Sequence, residues 1–203
     1  MERRWTYRPR SSALLAGATV LAALAATAAQ LAADGPAAGL RALPAGAAVA
    51  LLGWVVFARP RVDVDDTGVL VVNPFTTTHV PWGALIEVRT RYTCTFVTPH
   101  RRVEAFAAPG PGRHVAASAT AADLRGVGPG AADGRGSVQI GEVPGSSSAT
   151  VATYVRRRWN DLAEDGLLDL GQAEQTPVRR EVDVRALAAL GVLVLLAVAA
   201  QLV

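Results

Sequence analysis

Residues 11–33 carry no charged side chain, and 23 residues of helix at about 1.5 Å each outreach the roughly 30 Å hydrocarbon core of a bilayer. Asp34-Gly35-Pro36 then supplies a turn. A second apolar run, residues 42–58, spans if Arg41 and Arg59 extend their charged ends toward the headgroups. Pro44 falls in its first turn, where a missing N–H costs little. A third run covers residues 186–203. Hydrophobic residues make up 51% of the chain, and their excess lies in Ala, Val and Leu blocks, which points to lipid rather than to a water-soluble core.

Every Lys-or-Arg position is arginine, and their placement sets an expected orientation. Arg3, Arg4, Arg8 and Arg10 precede the first run, Arg59 and Arg61 follow the second, and Arg179, Arg180 and Arg185 precede the third. Only Arg41 lies in the turn between the first two. The positive-inside rule then puts the N-terminus and residues 59–185 in the cytoplasm, with the C-terminus outside a multi-pass cell-membrane protein. The competing reading is a cleaved signal peptide, with Ala26-Thr27-Ala28 as the small-residue site. The first run is longer than a usual signal core, and under either reading the domain stays on the cytoplasmic side. Cys94 is the only cysteine, which excludes an internal disulfide and a cysteine-rich metal site in one chain.

Between the anchors the pattern changes to short strands. Arg61-Val62-Asp63-Val64 alternates, Asp65-Asp66-Thr67-Gly68 is a turn with Gly68 free to take positive φ, and residues 69–73 return. Asn73-Pro74 marks another turn before residues 76–80. Ile86, Val88, Tyr92, Cys94 and Phe96 fall on one face of the next stretch; Glu87, Arg89, Arg91, Thr93 and Thr95 fall on the other. Residues 109–148 are mostly Gly, Ala, Ser and Pro, with Val138-Gln139-Ile140 the one strand fragment. Such a segment buries too little apolar surface to offset its ordering entropy and is expected to be mobile. Val151, Tyr154, Val155, Trp159 and Leu162 then keep helical spacing, with Ser147 or Ser148 as cap and Gly166 as stop.

Short antiparallel strands followed by one amphipathic helix predict a small, partly open barrel plugged by that helix. Arg61-Val62 through Gly68-Val69, Asn73-Pro74, Val80-Pro81-Trp82 and Trp159-Asn160-Asp161-Leu162 resemble the actinobacterial membrane proteins with a bacterial PH domain, the low molecular weight protein antigen 6 group. The resemblance implies an α+β membrane protein: two N-terminal transmembrane helices, a PH-like antiparallel β-barrel capped by a helix, and one C-terminal transmembrane helix. The expected divisions are 1–60, 61–166, a tether at 167–185, and 186–203. The matching residues are packing and turn residues, so they identify a fold and say little about activity.

Catalytic signals are thin. Asp66-Thr67-Gly68 spells the aspartic-protease triplet but sits in a hairpin turn without a second copy. Gly126-Val127-Gly128 echoes a dinucleotide turn with Pro129 inside it. His79, His100 and His114 are scattered, and Cys94 faces the expected core with no base beside it. The expectation is no enzyme, no cofactor, no metal and no nucleic acid. Trp82 and Trp159 read as structural anchors. Arg89, Arg91, Arg101 and Arg102, with Arg156, Arg157 and Arg158, read as solvated cations that can face an anionic surface. The functional expectation is a membrane-anchored interaction or scaffolding module, with the lipid bilayer and either a protein partner or a second copy as partners. The alternative is an accessory subunit of a membrane enzyme or transporter, working through its transmembrane helices.

Overall fold

The computed structural model describes residues 4–110, 145–168 and 171–202. The chain divides into two compact units.

One unit is largely helical: 10–60, 74–76 and 182–203. Its first helix, α1, runs Arg10–Gly53 and is broken at Gly35, where φ is 83° and ψ −177°. That backbone region is essentially closed to any residue but glycine. Pro36 follows it at the start of the second arm, where a proline needs no N–H partner. The arms fold back on each other along a line of glycines seven residues apart. A Cβ on Gly39 would lie 2.9 Å from Leu31 Cβ, one on Gly46 2.6 Å from Thr27 Oγ1, and one on Gly53 2.5 Å from Thr19 Cγ2. Small residues thus let the two backbones approach, as in membrane helix pairs. A π-helical turn, Trp54–Ala58, ends the second arm. The last helix, which we number α3, runs Val184–Gln201 and packs against α1. The stretches Arg10–Ala58 and Val184–Gln201 are both long and apolar enough to cross a membrane.

A polar knot gathers the loose ends of this unit. Asp183 caps α3 by accepting from the Ala186 N–H at 3.0 Å and pairs with Arg59 at 2.9 Å. Its own N–H donates to the Phe75 carbonyl at 2.9 Å, and Arg59 donates to the carbonyl of Pro74.

The other unit comprises 1–9, 61–73 and 77–181. One sheet has the order β1-β2-β3-β4-β8, from Trp5–Tyr7, Arg61–Val64, Gly68–Val72, Thr76–Pro81 and Arg179–Val182. The second has the order β5-β6-β7, from Glu87–Arg89, Thr93–Val97 and Arg102–Pro109. The alternation of valines dictates the inward face: Val62, Val64, Val69, Val71 and Val80 are buried together with Phe96, Cys94 and Trp82. Helix α2, Ser147–Glu164, covers this core with Val151, Val155 and Leu162. Ser146, one residue before the expected caps, accepts from the Ala149 N–H at 3.1 Å, and Gly166 at φ 66° ends the helix.

The expected barrel is not formed: the two sheets are not closed on each other. The physical reason lies at β4. Its outer edge is taken by β8, while the 3-10 turn Trp82–Ala84 redirects the chain, so β5 begins a separate sheet. Asn73 ties the sheets, its Nδ2 donating to Glu104 O at 2.8 Å and its Oδ1 accepting from the Phe106 N–H at 2.9 Å. The β2–β3 turn is held by Asp65 Oδ1, which accepts from Thr67 N, Thr67 Oγ1 and Gly68 N. Gly68 is needed there for a different reason than a left-handed turn: a Cβ would collide with the Val80 carbonyl on β4. The glycine-rich stretch, with Val138-Gln139-Ile140, Gly126-Val127-Gly128 and His114, lies outside the described residues apart from its flanks.

Candidate functional site

Among the described residues, the potentially reactive groups singled out in the sequence each have a structural occupation. Asp66 pairs with Arg158 at 2.6 Å rather than with a second aspartate. His79 Nε2 meets Thr67 Oγ1 at 3.2 Å, His100 Nε2 meets Glu174 O at 3.0 Å, and Cys94 is buried. Among the described residues no three His, Cys, Asp or Glu side chains converge as metal ligands.

What the fold does offer is a groove between strand β5 and helix α2. Among the described strands β5 has a neighbour on one side only, β6, paired as Glu87↔Val97, Val88↔Phe96 and Arg89↔Thr95. Ile86 donates its N–H to Val97 O, the oxygen of the residue paired with Glu87, so the strand starts with an irregularity. The sequence alternation placed Ile86 and Tyr92 on the buried face with Val88, Cys94 and Phe96. Instead Ile86 is 58% and Tyr92 75% exposed, because the first precedes the strand and the second sits in the β5–β6 turn. Ile86, Leu85, Val88 and Trp159 form the apolar wall of a cavity of about 230 Å³, with Glu87, Arg156 and Asn160 at its polar margin. Arg156 reaches from the helix to donate to Val88 O at 2.6 Å, which satisfies one carbonyl of the strand. Trp159 is partly buried against the core beside the groove, whereas Trp82 is 3% exposed and donates its indole N–H to Asp65 O at 3.0 Å.

A second cavity of about 520 Å³ lies between the β2–β3 turn and the end of α2, bounded by Trp82, Leu162, Leu167, Leu168, Asp165 and the Asp66–Arg158 pair. The Asp66–Arg158 pair neutralises two of its three charged lining residues and leaves Asp165 as the third.

The seven arginines singled out in the sequence are dispersed. Arg156 and Arg158 are engaged as just described. Arg89 is exposed and pairs with Glu87 at 2.8 Å; that hydrogen bond holds its pKa above the ordinary arginine value. Arg91 lies in the β5–β6 turn, its guanidinium 5.2 Å from the centre of the Tyr92 ring. Arg101 and Arg102 are exposed at the β6–β7 turn, at the other end of β6, and Arg157 is exposed on α2.

The N-terminal strand is a feature the sequence did not signal. Trp5, Thr6 and Tyr7 pair with Val64, Asp63 and Val62. Trp5 stacks on Tyr154 of α2 with ring centres 4.1 Å apart. Asp63, 2% exposed, accepts from Thr6 Oγ1 at 2.8 Å, Arg61 Nε at 2.9 Å and Arg4 Nη2 at 3.3 Å. Burial opposes its ionisation, but the hydrogen bonds from Arg61 and Thr6 and the attraction of Arg61 outweigh it and hold the carboxyl below the usual range. Arg-x-Thr around the aromatic pair was the available hint.

Residues 59–127 match the family described as bacterial PH domain, a span of about a third of the chain. No curated protein matches, and no solved structure matches. The matched region covers β2 to β7, that is, the three middle strands of the first sheet, the whole of the second and one wall of the groove. A bacterial PH domain suggests a module for interaction or scaffolding.

Proposed function

We propose that this chain is a membrane-anchored interaction module that holds a PH-like domain at the cytoplasmic face and offers the β5–α2 groove to an extended segment of a partner protein. The groove carries the reading. It joins an edge strand, which can supply main-chain hydrogen bonds, to an apolar cavity that can take one side chain, the pairing used when a peptide adds to a sheet. The match to bacterial PH domains supports an interaction role, and the two apolar helices support anchoring. The antiparallel arms of α1 bring its two ends back to one side, in keeping with an N-terminus and a domain in the same compartment.

The groove is tested by placing a photo-crosslinking residue at Ile86 or, as a control on the outward face of β6, at Thr95 in the full chain within native membranes. A discrete adduct from Ile86 and none from Thr95 is expected; equal labelling or none at Ile86 removes the groove from the proposal. An adduct of twice the chain mass identifies the partner as a second copy. Orientation is tested by a phosphatase reporter after Val203 and a cysteine at exposed Arg157 in a Cys94→Ala background. An active phosphatase with Arg157→Cys protected from an impermeant thiol reagent is expected; the reverse overturns it.

A further inference from the structure

Strand β5 carries a charge pattern that is its own complement. Val88 at its centre is buried, while Glu87 before it and Arg89 after it lie on the outer face, where they pair at 2.8 Å. Among the described strands β5 has no neighbour beyond β6. The opposite edge of the same sheet, β7, is tied at Glu104 and Phe106 to Asn73, so β5 is the edge that can take another strand. Arg156 uses one lone pair of the Val88 carbonyl, and a carbonyl oxygen has a second to offer.

An added strand must keep outer residues opposite outer residues, because a slip of one position turns its side chains over. For a second copy of β5 running antiparallel, the registers that do so are centred on Glu87, on Val88 or on Arg89. The first sets glutamate against glutamate and the last arginine against arginine, and like charges directly opposite each other repel. Centred on Val88, each Glu87 faces Arg89 of the second copy, and the intrachain pairs join into one ring of alternating sign. The flanking residues follow the same symmetry. Ile86 precedes the strand, Tyr92 lies in the turn after it, and both are largely exposed. Antiparallel pairing lays the start of one strand beside the end of the other, so each Ile86 comes beside Tyr92 of the second copy.

We propose that the segment taken up by the groove is β5 of a second copy of this chain, paired antiparallel about Val88 so that the two β5-β6-β7 sheets become one. The inference rests on the groove reading and deepens it by naming the partner and the register. Such a contact is isologous and closes as a dimer, leaving no β5 edge open. A strand of three residues makes few main-chain bonds, and anchorage of both copies in one membrane supplies the local concentration that so short a contact needs.

The test uses full chains in native membranes, with a photo-crosslinking residue at Ile86 and two tags of different mass. Chains otherwise wild type should give an adduct of twice the chain mass, attached near Tyr92 of the second copy. Glu87→Arg alone, or Arg89→Glu alone, sets like charges opposite each other at both places and should lower that adduct by about fivefold or more. Expressed together, the two variants should restore it as a mixed adduct, one chain of each kind. Within each variant the two charges stay alike, so this recovery cannot come from an intrachain pair. Glu87→Arg with Arg89→Glu in a single chain should dimerise as the wild type does. Single variants that keep the adduct, a mixture that fails to recover it, or attachment away from Tyr92 overturns the inference. An Ile86 adduct with a different protein also overturns it but leaves the groove reading standing, whereas no Ile86 adduct of any kind removes both.

Discussion

Replacing Asp63 isolates the contact that fastens the N-terminal strand. Its carboxylate is almost fully buried and accepts three hydrogen bonds, but the three are unequal. Arg4 is largely exposed, so its pair adds little. Arg61 is partly exposed and, once released, can turn to water. The Thr6 bond, neutral hydroxyl to buried carboxylate at 2.8 Å, is of the charge-assisted kind and contributes about 1.5–3 kcal/mol. Asp63→Ala removes the buried acceptor and leaves Thr6 and the two arginines without it, so the expected loss is about 2–3 kcal/mol, concentrated in β1. Denaturant unfolding of the full chain in micelles reads the global loss, and amide hydrogen exchange at Thr6 and Tyr7 reads the local one. The sign with pH follows from the lowered carboxyl pKa. The stabilisation is complete above the ordinary aspartate value of about 3.9 and disappears as pH falls through the lower native value. Wild type and Asp63→Ala should therefore differ fully at pH 7 and converge below about pH 4. A difference under about 0.5 kcal/mol at pH 7, or one that persists unchanged at pH 2, refutes the account.

Trp82→Ala should cost about 3–5 kcal/mol in the same unfolding assay, with Trp159→Ala costing less because that ring is only partly buried. Gly46→Leu or Gly53→Leu should abolish the cooperative thermal transition of the helical unit, since each forces α1's arms apart, while Gly17→Leu, with open space around it, should leave it in place. Asp183→Ala should destabilise by about 1–3 kcal/mol through the lost cap and the stranded Arg59, and Asp183→Asn should recover only the capping share.

Much of the architecture was legible because it follows from local chemistry. A run of uncharged residues 23 long announces a helix long and apolar enough to cross a membrane, and Gly35 between Asp34 and Pro36 breaks it where the backbone needs a glycine-only conformation. Alternating valines fixed the inner face of β2 and β3, and helical spacing fixed the face of α2. The sequence pattern failed where a neighbour distant in the chain decides. Whether strands close into a barrel depends on which strand occupies the free edge of β4, and β8, about a hundred residues away in sequence, takes it. Ile86 and Tyr92 obey the period-two pattern yet lie outside the strands, because a residue's face is defined by pairing and not by parity. Trp5-Thr6-Tyr7 is too short to announce a strand; it becomes one through Asp63 and Tyr154, which lie far along the chain. The groove is the clearest case. Its walls are about seventy residues apart, so composition and spacing supplied Ile86, Arg156 and Trp159 as separate facts, and only the packing of helix on strand edge made them one surface.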